Sequence, residues 1–273
     1  MIREYIAYVQ NVKGYSPLTI KSYYSDLKHM VAWARENMND PRWSKIDRNV
    51  IDLYIMDAVR NEQTPATTNR RLSALSGFYK YLKRQGYEVE DPTRYEERRK
   101  QKKSIPATID QESLRAAYEQ ASGAVKFMLG ILITTGIRIG ELLAIEWEDV
   151  NPDKLTIRVR GKGTKERIVH TTEEVMQFYH LANSVNRQHG KMFLYRDRYA
   201  RKMIHEELRK TCKESKLSPH IIRHTFATNL AAKGVNATTI ASILGHEHLE
   251  TTQKYINLAA AQNETANLAH SLL

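Results

Sequence analysis

Cysteine is nearly absent: Cys212 is the single one in 273 residues, which excludes an internal disulfide and fits a reducing compartment. No stretch approaches the roughly eighteen consecutive apolar residues of a membrane-spanning helix. The opening MIREYIAYVQ is no signal peptide, so the expectation is a cytoplasmic protein with no membrane partner. There is no internal repeat and no low-complexity segment. The stretch GKGTK at 161–165 lacks the spacing of a phosphate-binding P-loop, which removes the support for nucleotide hydrolysis. An H-E-x-x-H motif is missing too, as is a paired-aspartate cluster for two-metal phosphoryl transfer. His220 and His224 stand at i, i+4, and His246-Glu247-His248 adds ligands on paper, but the helix histidines have no carboxylate in the expected place. No metal and no cofactor is expected.

What is abundant is positive charge. The formal net charge is +11, which points to a polyanion, nucleic acid before an anionic membrane surface. The excess is spread along the chain, +7 in residues 1–105 and +4 in the remainder, so both halves are suited to the same partner. The length is comfortable for two domains.

Residues 1–86 read as helices only. Ile2, Tyr5, Ile6 and Val9 share one face; Ser16-Pro17 and Thr64-Pro65 are helix starts; a third helix spans about 48–60. Short loops between such elements describe a four-helix unit. Its basic side chains, Lys21, Arg70, Arg71, Lys80 and Lys83 among them, suit contacts to a DNA backbone, although any one lysine is more simply a solvated surface residue. Residues 87–105 are poor in apolar side chains and end in a basic run. They are expected to be an interdomain linker whose Arg99, Lys100 and Lys102 lie along phosphates or merely keep the chain soluble.

Residues 106–273 form the second expected domain, mostly helical. The apolar run 124–135 stops at Gly136, and Arg138 and Glu141 follow at i, i+3 on a short helix. Lys154–Arg160 and Glu166–His170 alternate like strands around the turn 161–164, a hairpin inside a helical domain. Helices are expected at about 172–189 and 198–213. Another starts at Ser218-Pro219, with Ser218 as N-cap, and ends at Lys233-Gly234. A short apolar helix closes at Gly245 with His246 just beyond, Tyr255 lies on a helix starting near Glu250, and a terminal helix is expected at 259–273.

A tyrosine can attack a phosphodiester if its proton is removed and the transition-state charge is neutralised. Its phenol, with a pKa of about 10, is otherwise a poor nucleophile. Two arginine forks clamp phosphate oxygens, a lysine donates a proton to the departing oxygen, and histidines move protons near neutral pH. Arg138, Lys162, His220, Arg223, His246 and Tyr255 supply every part. Singly each is ordinary: an arginine on an amphipathic helix is usually ion-paired, and most of the fifteen tyrosines belong to the core.

Together, TTGIRIGEL (134–142), RGKGTKER (160–167), SPHIIRHTFAT (218–228) and LGHEHLETTQKY (244–255) resemble the tyrosine recombinases of the phage-integrase family, most closely the Xer branch. The resemblance covers nearly the whole chain, and residues 1–86 resemble the family's SAM-like core-binding domain. It implies a mainly α fold, with a helical catalytic domain carrying a small antiparallel sheet. It implies Tyr255 as the nucleophile forming a 3′-phosphotyrosyl link, Arg138 and Arg223 on the scissile phosphate, and Lys162 as general acid, with Lys165 near enough to compete. His220 would assist as acid or base, His246 would hold the phosphate and help activate the tyrosine, and Glu141 would orient its neighbours. It further implies double-stranded DNA sites, a Holliday junction, a homotetramer on DNA formed from monomers or dimers in solution, and a C-terminal helix exchanged between subunits. A recombinase-like DNA-binding accessory protein without cleavage and a metal-dependent nuclease are the alternatives. The lack of an arm-binding domain before residue 1 leans towards a simple Xer-like or invertase role.

Overall fold

The computed structural model describes residues 1–100, 106–161, 165–185, 190–214 and 216–271, with side chains from 182 to 185 and beyond 261 left undescribed. The chain divides into two units, Met1–Lys103 and Ser104–Leu273.

In the first unit four helices follow one another: α1 (Ile2–Asn11), α2 (Pro17–Asn37), α3 (Arg48–Arg60) and α4 (Pro65–Arg84). Their starts have a chemical cause. Ser16, Asp47 and Thr64 each accept a hydrogen bond from the backbone N–H three residues on, and proline fills the first helical position of α2 and α4. The apolar faces close over one core that includes Tyr5, Leu27, Met30, Ile51, Tyr54, Leu72, Leu75 and Phe78. The stretch expected to be a linker is docked on α4 as far as residue 99. Arg99 N–H donates to Asn69 Oδ1, Asn69 Nδ2 returns a bond to the Arg99 carbonyl, and the Arg99 guanidinium donates to Gln63 O and Thr68 Oγ1. The sequence hid this because polar side chains make most of the contact, with Val89 alone among the aliphatic residues of that stretch packing on the core.

The second unit is built around α6 (Gly123–Thr135), whose residues 127–132 are all buried. A helix that is apolar all round must lie inside a fold. Around it pack α5 (Gln111–Gln120), α8 (Glu173–Val185), α9 (Asp197–Leu208) and α10 (Pro219–Ala232). The hairpin is present as β2 (Thr156–Arg160) and β3 (Glu166–His170), paired antiparallel with Ile157 opposite Val169 and Arg160 opposite Glu166. Ile157 and Val159 point into the core. On the other face Arg158 and Arg160 both reach the buried carboxylate of Asp149. A two-residue strand, β1 (Val150–Asn151), adds a third member in the order β1-β2-β3; it is too short to show in a period-two pattern.

The remaining elements are α7 (Ile139–Leu142), α11 (Ala237–Leu244) and α12 (Glu250–Ser271). One expectation holds in position and one needs correction. Ser218 sits at the N-cap of α10 with an extended backbone but makes no side-chain capping bond. The terminal helix is not separate: α12 carries Tyr255 and runs on to Ser271 through the start of the segment assigned to a second helix, since neither glycine nor proline interrupts residues 250–271. Helix α9 also ends earlier than expected, at Leu208; the end of the helix expected at about 172–189 lies outside the described residues.

Candidate active site

The end of α11 gathers the site. The last carbonyls of a helix have no partner within it, and the helix dipole makes that end negative. Three guanidinium groups converge there. Arg167 Nε donates to the Ile243 carbonyl at 2.8 Å, Arg223 Nη2 to Leu244 at 2.9 Å, and Arg138 Nη2 to Gly245 at 3.4 Å. Each arrives from a different element: Arg167 from β3, Arg223 from α10, and Arg138 from the N-cap of α7.

Gly136 sets up the approach of the last two. It ends α6 in the left-handed region at φ +62°, which turns the chain into Arg138. Its carbonyl accepts a second bond from Arg223, Nη1 at 2.9 Å. Arg223 is only 3% exposed, and burial followed by the nearby charge of Arg138 lowers its pKa to about 10, which leaves it charged at neutral pH. Glu141 is the counterweight. Its carboxylate accepts from the Arg138 N–H at 2.8 Å, from Arg138 Nη1 at 2.9 Å, and from Arg167 at 2.8 and 3.1 Å. Burial pushes its pKa up, but the bonds from Arg167 and the Arg138 N–H together with both guanidinium charges outweigh that, so the carboxyl ends below its ordinary value.

Gly245 closes α11 in the left-handed region, and His246 follows, its N–H donating back to Ala241. His246 Nδ1 and Thr252 Oγ1 lie 2.8 Å apart. Burial, then the charges of Arg223, Arg138, Lys254 and Arg167, lower the His246 pKa to about 4. Tyr255, on the second turn of α12, is 1% exposed and packs with Ala227, Ile240 and Leu244. Its hydroxyl lies 2.7 Å from Nδ1 of His224, and its ring stacks at 19° on that of His246 with centroids 6.3 Å apart. Burial raises the phenol's pKa while Arg223 and Arg138 pull it down; burial wins.

One cavity of about 860 Å³ is lined by Arg138, Glu141, His220, Arg223, His246 and Tyr255. Lys162, the remaining candidate, lies outside the described residues. Lys165, the other lysine of that turn, is described and lines the cavity rim. Sequence reasoning missed three contributors. Arg167 holds Glu141, and its signal was its place at the end of the RGKGTKER motif. His224 touches the phenol, although its i, i+4 spacing from His220 had suggested only a metal ligand. Lys254 stands 5.0 Å from the centroid of the Tyr255 ring. Among the described residues no group of His, Cys, Asp and Glu is arranged to hold a metal ion.

The basic residues considered for DNA divide. Lys21, Lys80, Lys83 and Lys100 are exposed. Arg70 is ion-paired with Asp26, Arg71 bonds Gln63, and Arg99 is docked on α4, so these three are held by internal partners. Lys102 lies outside the described residues.

The sequence profile of the Phage integrase family matches residues 99–262, more than half of the chain. The chain belongs to the phage integrase family. The family's N-terminal SAM-like domain matches residues 2–86 as well. Among curated relatives, the chain is 27% identical to tyrosine recombinase XerC of Lactobacillus delbrueckii subsp. bulgaricus, covering 94% of this chain and 93% of the relative. It is also 27% identical to tyrosine recombinase XerD of Staphylococcus epidermidis, covering 96% and 95%. Among solved structures it resembles the XerH site-specific recombinase bound to a palindromic difH substrate in a post-cleavage complex (TM-score 0.74, 19% identity, 98% of this chain and 84% of that one). It likewise resembles a lambda integrase dimer bound to a COC′ core site (TM-score 0.71, 14% identity, 93% and 75%). The mainly helical architecture with its small antiparallel sheet is thus the phage-integrase fold. Among the described residues, no helix is long and apolar enough to cross a membrane.

Proposed function

We propose that Tyr255 is the nucleophile with which this chain opens a DNA strand, forming a 3′-phosphotyrosyl bond and freeing a 5′-hydroxyl. The broader activity comes with the family: the protein is a site-specific tyrosine recombinase, an enzyme that breaks and rejoins DNA at recombination sites. The observation that carries the finer reading is the convergence on one cavity of Tyr255 with Arg138, His220, Arg223 and His246.

In this reading Arg138 and Arg223 bind the two non-bridging oxygens of the scissile phosphate. Their forks are preorganised by Glu141 and by the carbonyls of Gly136, Leu244 and Gly245. Because those bonds hold the guanidinium groups before DNA arrives, little reorganisation is left for the moment of reaction. The phenolic oxygen attacks phosphorus, the bond to the 5′-oxygen breaks, and Lys162 donates the proton that oxygen needs. His220 and His246 take supporting places against the phosphate. Reversal with a new 5′-hydroxyl rejoins the strand with no net change in bond type, so no external energy source is required.

We further propose that recombination proceeds through a Holliday junction on two double-stranded sites held by a homotetramer. The extension of α12 beyond Tyr255 is the segment we propose is exchanged between subunits. DNA as substrate and a single buried cysteine support a cytoplasmic location. The test is a nicked suicide substrate, from which the 5′-hydroxyl strand diffuses away after cleavage and leaves the adduct trapped. Wild type should accumulate covalent protein–DNA, and Tyr255→Phe should bind the same DNA with unchanged affinity and form none. An adduct that persists in Tyr255→Phe would sink the assignment.

A further inference from the structure

The resemblance leaves to His246 and His220 the task of helping the tyrosine lose its proton, but the imidazole at the phenol is a different one. Nδ1 of His224 lies 2.7 Å from the Tyr255 hydroxyl, inside the reach required of a general base. Nδ1 of His246 is engaged with Thr252 Oγ1 at 2.8 Å, and that ring meets the tyrosine face to face. His220 stacks on His224, with ring centroids 6.4 Å apart.

We propose that His224 is a catalytic residue of this site, the base that takes the phenolic proton from Tyr255 as its oxygen attacks phosphorus. The proposal rests on Tyr255 being the nucleophile. The O–H bond of Tyr255 breaks and its proton passes to Nδ1, the ring's own proton residing on Nε2. The phenolic oxygen forms the bond to phosphorus, and the bond from phosphorus to the 5′-oxygen breaks, that oxygen taking its proton from the general acid. In rejoining, a 5′-hydroxyl attacks phosphorus, the phenolic oxygen leaves, and His224 returns the proton to it.

Several features suit His224 to the task. It follows Arg223 on α10, and Arg223 is anchored through both terminal nitrogens to the carbonyls of Gly136 and Leu244. Helices α10 and α12 pack directly on each other, so the donor and acceptor of the proton sit on abutting rigid elements. Burial, then the charges of Lys254, His220 and Arg223, hold the His224 pKa near 4, so the ring is neutral and its lone pair free. Besides burial, the charges of Lys254 and Arg223 penalise the imidazolium. A phosphodiester bound between Arg138 and Arg223 offsets the charge part of that penalty and favours proton transfer once DNA is in place. The base is thereby coupled to the substrate it serves.

The experiment is single-turnover adduct formation on the suicide substrate, with DNA affinity and thermal melting recorded for every variant. His224→Ala should bind DNA as wild type does and form adduct about 10²–10³-fold more slowly. His224→Asn, which keeps a polar group at the Nδ1 position without a basic nitrogen, should be slowed comparably, and it guards against a folding defect in the alanine variant. Replacing Tyr255 by 3,5-difluorotyrosine, whose phenol is more acidic, should restore at least about tenfold of the loss in either variant, because a base matters less to a better acid. A purely structural role gives no such rescue. A substrate with sulfur at the bridging 5′-position, a leaving group needing no proton, should leave the defect in place. Wild-type rates in both His224 variants, rescue by the sulfur substrate, or no rescue by the acidic phenol would each overturn the proposal. Failure of the nucleophile reading is distinguished by Tyr255→Phe, which would then still form adduct.

Discussion

Arg167 enters the site from β3 and splits its guanidinium between a helix end and a carboxylate, holding the Ile243 carbonyl and both oxygens of Glu141. With side-chain exposures of 14% and 7%, Arg167 and Glu141 form a pair largely out of water. Removing one partner of such a pair costs far more than the pair contributes, because the survivor is left charged and desolvated. Arg167→Ala should therefore lower unfolding free energy by about 3–5 kcal/mol, measured in urea. Arg167→Lys should recover little of it, since an ammonium cannot make the bidentate contact. Glu141→Gln in the Arg167→Ala background should soften the loss, giving a non-additive cycle. The acid limb carries a sign. Glu141 binds its proton more weakly folded than unfolded, so its contribution is present above the ordinary carboxylate range, near 4.5, and disappears as pH falls through the lower folded value. Wild type should lose stability in that window, and Arg167→Ala should lose less.

At the scale of elements, the site depends on two helix ends that turn sharply. Gly136 and Gly245 both occupy the left-handed region, at φ +62° and +66°. A Cβ at Gly136 would meet Phe226 Cδ1 at 2.4 Å, so alanine there meets both backbone strain and a ring that must move. Gly136→Ala should cost about 2–4 kcal/mol in chemical denaturation and should slow cleavage as well, because Arg138 and the carbonyl holding Arg223 leave from that turn. These turns were legible, since glycine after an apolar helical run is a strong stop signal. So were α1 to α4 and the β2–β3 hairpin. Strand β1 was not, because two residues cannot display a period. The unity of α12 was obscured by a change from polar to small apolar side chains near Ala259, which alters the face but gives the backbone no reason to stop. The docking of Arg98 and Arg99 on α4 was also hidden, since polar contacts to the Asn69 backbone and side chain leave no hydrophobic period.

For the whole molecule, a net charge of +11 spread over both units answers a polyanionic substrate. The four motifs supplied the candidate side chains but not their contacts. Nothing in the spacing indicates that Arg138, Arg167 and Arg223 share the end of α11, or that His224 rather than His246 lies at the phenol, because such contacts are made by packing between elements distant in the chain. What the convergence implies is a single covalent event at one residue. The measurement that tests it most directly is mass spectrometry of the adduct trapped on the suicide substrate, after nuclease and protease digestion. The expected result is one nucleotide-bearing peptide, the modification joined through a 3′-phosphate to Tyr255, with a free 5′-hydroxyl on the released strand. Attachment at any other residue, or strand cleavage with no protein-linked nucleotide, would contradict it.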